Sequence, residues 1–185
     1  KIPEVAPQSE EWRWLTRATS AADGFQSISD SLSGGPLADR VSELEPAVYE
    51  TVETLHRLAG RATTVGKALG HIDLSALTLE KTRLHKALKT AEDEVRADLE
   101  QSLEAIQAQE DVHARLSGAR NKLLAQLQSG ALGLDSLVAR VVELSTTAET
   151  DLSANTGVIG ELSDQLEGIR RGVVETEETT RRALG

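Results

Sequence analysis

Residues 123–144 read LLAQLQSGALGLDSLVARVVEL, two helical apolar patterns on either side of Gly130 and Gly133. Leu123 and Leu127 close the first pattern, and Leu137, Val141 and Leu144 open the second. Glycine is a strong punctuator of helices, so the pair reads as a turn centred on Ala131. On that reading the C-terminal half of the chain doubles back on the half before it.

Upstream of this turn, Leu77, Leu84, Leu88, Val95, Leu99 and Ile106 alternate steps of seven and four, a rhythm that tracks a nearly straight helix. It predicts one rod over 76–128, diluted at Gln109, Glu110 and His113 and restored at Leu116, Leu123 and Leu127. Downstream, Leu137, Val141, Leu144, Ala148, Asn155, Ile159, Leu162, Leu166, Ile169 and Val173 follow heptad-like order and predict a rod over 134–183. Asn155 stands where the seam expects an apolar residue, a substitution that can fix register. Gly157, Gly160, Gly168 and Gly172 allow either close packing or pliability. Rods of ~50 residues would be ~75 Å long at 1.5 Å rise per residue.

Charge order tests this alignment. Antiparallel rods centred on Ala131 bring Arg120 to Glu143, Arg115 to Glu149, Glu92 to Arg170 and Lys86 to Glu175, with Arg83 near Glu177 and Glu178. The same register opposes Lys122 to Arg140, Asp111 to Asp151 and Asp98 to Asp164. About the turn near Asp73, Glu50 meets Arg96, while Arg57 faces Lys89 and Glu53 faces Asp93. Exposed pairs contribute only ~0–1 kcal/mol each, so the Leu/Val seam must hold the hairpin.

Residues 1–8, with Pro3 and Pro7, read as an extended arm, and Ser9 before Glu10 and Glu11 is a helix cap with an acidic first turn. A helix over 9–33 ends at Gly34, Gly35 and Pro36. A second over 37–69 carries Leu37, Val41, Leu44, Val48, Thr51, Leu55, Ala62, Val65 and Leu69 at seam spacing. Pro46 marks a weak point near Glu45, and Gly70 to Ser75 reads as the next turn. Whether the first helix folds back at Gly34 or runs on is open.

The only aromatic residues are Trp12, Trp14, Phe25 and Tyr49, so the rods must bury thin Leu/Val/Ala seams rather than a wide core. The expected fold is all-α: an elongated antiparallel, coiled-coil-like bundle over 9–185, with three long rods and a shorter N-terminal helix.

Composition narrows the function classes. A net charge of -10 and a pI near 4.9 argue against a general nucleic-acid binder, which needs a basic face to displace counterions from phosphate. Zero Cys removes disulfides, thiolate metal sites and cysteine nucleophiles. No apolar run approaches the ~20 residues needed to cross a bilayer. The absence of any Met suggests a processed or excised piece.

Individual motifs have bland readings that outweigh their chemical ones. Glu53-x-x-His56 and Glu110-x-x-His113 resemble the carboxylate and histidine units of two-metal bundles. The predicted alignment keeps them ~25 Å apart, so two solvated faces are expected and no metal. Gly60, Gly66 and Lys67 miss the spacing and the Ser or Thr of a phosphate-binding loop and suit close helix packing instead. The basic cluster Lys81, Arg83, His85, Lys86 and Lys89 is expected to be neutralised by Glu175, Glu177 and Glu178. Trp12 and Trp14, two apart, lie about 200 degrees round a helix, so they cannot both enter one core, and they are the candidate partner contacts.

No catalytic triad, paired-acid cleft or nucleotide loop stands out, so neither enzymatic activity nor a cofactor is expected. The expected role is a helical scaffold, adaptor or spacer module of a larger protein, with a protein partner or a second copy of the chain and no nucleic acid. The alternative is a membrane-surface-binding or signal-relay module contacting through Trp12, Trp14 and the basic segment.

Overall fold

The structure, a computed structural model, describes residues 4–147 and 152–185, with the side chains of 152–156 excepted. It contains five helices, α1 (Glu10–Ser31), α2 (Pro36–Leu69), α3 (Leu74–Leu88), α4 (Asp93–Thr147) and α5 (Leu152–Leu184). No strand occurs among the described residues. The all-α bundle expected from the seams is the fold observed.

The helix starts follow local chemistry. Ser9 accepts the Trp12 amide through its hydroxyl and caps α1, whose first turn carries Glu10 and Glu11. The chain then folds back at Gly34 and Gly35, whose φ of 77 and 97 degrees lie in the region that L side chains avoid. Pro36 opens α2 at a position that needs no N–H donor. Asp73 caps α3 by accepting the Ala76 amide.

α2 runs through Pro46 rather than beginning there, so the weak point expected near Glu45 falls inside a continuous helix. The side chain of Pro46 is exposed, so the carbonyl it fails to bond faces water, which can solvate it.

The larger correction concerns α4. It runs unbroken through Gly130 and Gly133 for 55 residues, about 80 Å at 1.5 Å per residue. These glycines mark contact rather than a turn. A Cβ at Gly130 would stand 2.5 Å from Leu55 Cδ2 and 3.3 Å from Ile169 Cγ2, and one at Gly133 would stand 2.8 Å from Ile169 Cδ1. Only glycine lets α2 and α5 approach this closely, and that packing offsets a helix-propensity cost of ~1 kcal/mol per residue.

The expected rods 76–128 and 134–183 are therefore cut elsewhere. The first breaks at Lys89 to Glu92, between α3 and α4, and residues 134–147 belong to α4 rather than to the last helix. Glu92 accepts the Arg96 amide and begins α4, with Asp93 and Glu94 in its first turn. Leu88 to Val95 keeps a seven-residue step across this break. That is why the periodicity passes over it.

Four helices build the bundle. α2 and α4 each touch α1 and α5, while among the described residues α1 and α5 do not touch each other, so α2 and α4 form the short diagonal. Gly66 against Arg120 and Leu55 against Gly130 make α2 antiparallel to α4. Gly133 against Ile169 and Gly172 against Gln126 do the same for α4 and α5, with the reversal between Thr147 and Leu152 rather than at Ala131. Glu11 with Arg120 and Arg17 with Asp135 set α1 parallel to α4. Phe25, Val41, Leu55, Leu58, Leu127, Leu134, Leu137, Val141, Leu162 and Leu166 are fully buried between them. Each such side chain contributes about 1.5–3 kcal/mol.

The shifted reversal reassigns the ion pairs. Arg120 binds Glu11 rather than Glu143, and Glu143 and Glu161 flank Arg140. Arg170 pairs with Glu50 and Glu167 rather than Glu92, and Arg96 lies near Asp93 rather than Glu50. The partner expected for Arg115, Glu149, lies outside the described residues, as do Ala148, Asp151 and the side chain of Asn155.

Among the described residues α3 touches α4 alone, and the two leave the bundle as a hairpin. Lys81 Nζ donates to Glu110 at 2.6 Å and to Gln107 at 3.1 Å, a register that sets Leu84 level with Ile106 and Leu88 level with Leu103. With two helices instead of four, this seam stays half-buried at Leu77, Leu84, Leu88, Leu99 and Leu103, and only Ile106 is buried.

Candidate interaction surfaces

The two tryptophans divide as residues two apart on a helix must. Trp14 is half-buried and packs against the core, with the Arg13 guanidinium 4.9 Å above its ring. Its indole Nε1 is buried and meets no hydrogen-bond acceptor among the described residues. Trp12 is 41% exposed. Trp12, Arg13, Trp14, Thr16, Arg17 and Ser20 line an open concavity of about 580 Å³ on α1. Arg17 in this lining is held by Asp135. Trp and Arg are among the residue types enriched at the hot spots of protein interfaces.

The basic cluster on α3 is not neutralised as expected. Glu175, Glu177 and Glu178 lie on α5, which does not reach α3. Glu177 instead holds Arg61 at 3.2 Å, and Glu178 lies near Arg182. Of the basic side chains, Lys81 is engaged by Glu110, Arg83 approaches Glu80 at 3.6 Å and His85 Nδ1 contacts the Lys81 carbonyl. Lys86 and Lys89 have no carboxylate within ion-pair distance among the described residues. Leu79, which the seam spacing passes over, is 62% exposed on the same helix.

Glu53 and His56 stand exposed on α2, while Glu110 accepts Lys81 in the hairpin beside half-buried His113. From the α2–α4 register, roughly 30 Å of spine separates the two motifs. No group of three metal-ligating side chains lies together among the described residues. Gly60 is buried in α2, and a Cβ at Gly66 would stand 3.0 Å from Arg120 Nε, so these glycines accommodate helix packing. Gly172 does the same against Gln126, whereas a Cβ at Gly157, Gly160 or Gly168 would meet nothing.

One arrangement had no signal in the spacing. Glu11 is 3% exposed at the start of α1, and its Oε1 accepts both Nε and Nη2 of Arg120, at 3.2 and 2.7 Å. The absence of a side chain at Gly66 makes the space for that guanidinium. The pair ties α1, α2 and α4 together at the level where the bundle gives way to the hairpin. No helix is long and apolar enough to cross a membrane among the described residues. Comparison with known protein families, curated proteins and solved structures gives no match.

Proposed function

We propose that this chain is a non-enzymatic helical scaffold, adaptor or spacer module that works by protein–protein contact. The observation that carries the reading is α4, one continuous helix that serves as the spine of the bundle and then outruns it, with only α3 beside it. A helix pair of this kind holds a surface at a fixed distance from a rigid body, and the exposed Trp12 provides a second surface on the body itself. The α3 surface is convex and the concavity at Trp12 is open to solvent, forms suited to another protein rather than to an enclosed substrate.

Photocrosslinking in cells that make the protein tests this. A benzophenone side chain at Trp12 or Leu79 is expected to yield protein adducts, whereas the same group at exposed His56 yields none. An absence of adducts at both positions would sink the reading. The membrane-surface alternative draws on exposed Trp12 beside Arg13. It requires co-sedimentation with anionic vesicles that Trp12→Ala abolishes.

A further inference from the structure

α3 is the most weakly held helix of the molecule and the most basic, in a protein whose net charge is -10. None of its side chains is buried. Leu79, Thr82, Lys86 and Lys89 follow one another at steps of three, four and three, so they form a single stripe along the exposed side, bordered by Arg83. Leu79 stands at one end of the stripe, 62% exposed, and the unpaired ammonium groups of Lys86 and Lys89 stand at the other.

We propose that this stripe is the docking site for an acidic, amphipathic helical segment of a partner protein. Its carboxylates would face Arg83, Lys86 and Lys89, and one of its apolar side chains would cover Leu79. The proposal rests on the adaptor reading and names the partner's chemistry. Charge complementarity selects the occupant: an apolar helix would leave the two ammonium groups unpaired, and a basic one would be repelled.

The stripe is one helix wide, which favours a narrow anionic partner. Asp93, Glu94, Asp98 and Glu100 are exposed on the neighbouring helix. Packed helix axes lie about 8–10 Å apart, within about one Debye length at physiological salt. Those carboxylates lie on faces of α4 turned away from the stripe, within about that distance of the lysines, and offset their pull on an extended anionic surface, whereas a single acidic helix meets the lysines at contact range along α3 alone. A second copy fits poorly too. Two hairpins paired end for end about a two-fold axis set α3 against α3, like charge on like.

Fluorescence anisotropy with a labelled helix-forming peptide, Glu on one face and Leu on the other, tests the proposal on the whole chain. The wild-type protein is expected to bind it and to ignore the counterpart with Lys in place of Glu. The double variant K86E/K89E should weaken binding by about tenfold or more, and Leu79→Ser by about threefold. All three positions are exposed, so circular dichroism should be unchanged. Equal binding of the acidic peptide by wild type and K86E/K89E, or no binding by either, would overturn the proposal. Pelleting with phosphatidylserine vesicles, or a concentration-dependent dimer that K86E/K89E abolishes, would also overturn it. Adducts at Trp12 combined with no acidic-peptide binding would defeat this inference alone. No adducts at either crosslinker would defeat the adaptor reading beneath it.

Discussion

α4 passes through two environments within one continuous helix. From Ala119 onward its inner face, including Leu123, Leu127, Ala131, Leu134, Leu137 and Val141, is buried by three neighbours, whereas between Asp93 and Gly118 only Ile106 is buried, by one. The backbone hydrogen bonds are of the same kind in both halves. What differs is the number of neighbours that share the seam, and since packing supplies most helical stability in a protein, the hairpin should open locally while the bundle persists. In the adaptor proposed above, continuous α4 would set the reach of the α3 surface while α3 itself opens and closes on it.

The largest expected contrast lies between a leucine of α4 in the bundle and a leucine of α3 in the hairpin. Leu127→Ala should cost about 3–5 kcal/mol, since it leaves a cavity among side chains from neighbouring helices, while Leu84→Ala in the hairpin should cost about 1 kcal/mol because water already reaches that site. Urea titration followed by circular dichroism measures both. Native-state hydrogen exchange should show α3 amides exchanging well before those of α2, and equal protection in the two helices would abolish the distinction between the regions.

A smaller contrast separates the two ion pairs. Arg120→Ala strands the Glu11 carboxylate, which is 3% exposed, and should cost about 2–3 kcal/mol given that the arginine itself is partly solvated. Lys81→Ala breaks an equally short contact in the hairpin, where Glu110 can turn to water, and should cost below about 1 kcal/mol. A similar loss at both sites would mean that the hairpin is as well packed as the body.

Much of the architecture was legible in the residues, and the exceptions share a cause. Ser9, Gly34, Gly35 and Pro36 act within a few residues of themselves, so their cap and turn could be read directly, as could the α2 seam. Gly130 and Gly133 could not, because the same residue type either ends a helix or admits a close neighbour, and which it does depends on Leu55 and Ile169, distant in sequence. The break at Lys89 to Glu92 contains neither Gly nor Pro and preserves the seven-residue step, so periodicity alone bridges it. The opposite faces of Trp12 and Trp14 followed from helix geometry. The unpaired state of Lys86 and Lys89 did not, since it depends on where α5 ends up.

The glycines of α4 and α5 provide the finest test of the same idea, because one substitution should change sign with the number of neighbours. At Gly168 an added Cβ meets nothing, so Gly168→Ala should stabilise the protein by about 0.5–1 kcal/mol through helix propensity and a less entropic unfolded chain. Gly130→Ala gains the same propensity but drives a methyl to 2.5 Å from Leu55 Cδ2. Leu55 is fully buried, so a rotamer that clears the methyl must displace other core side chains, and overpacking of about 1–3 kcal/mol should leave the variant net destabilised by about 1 kcal/mol. Opposite shifts in the thermal midpoint, upward for Gly168→Ala and downward for Gly130→Ala, are the expected result. If Gly130→Ala also moved the midpoint upward, the close approach of α2 and α5 to α4 would not be what keeps glycine there, and a bend at Ala131 would again be open.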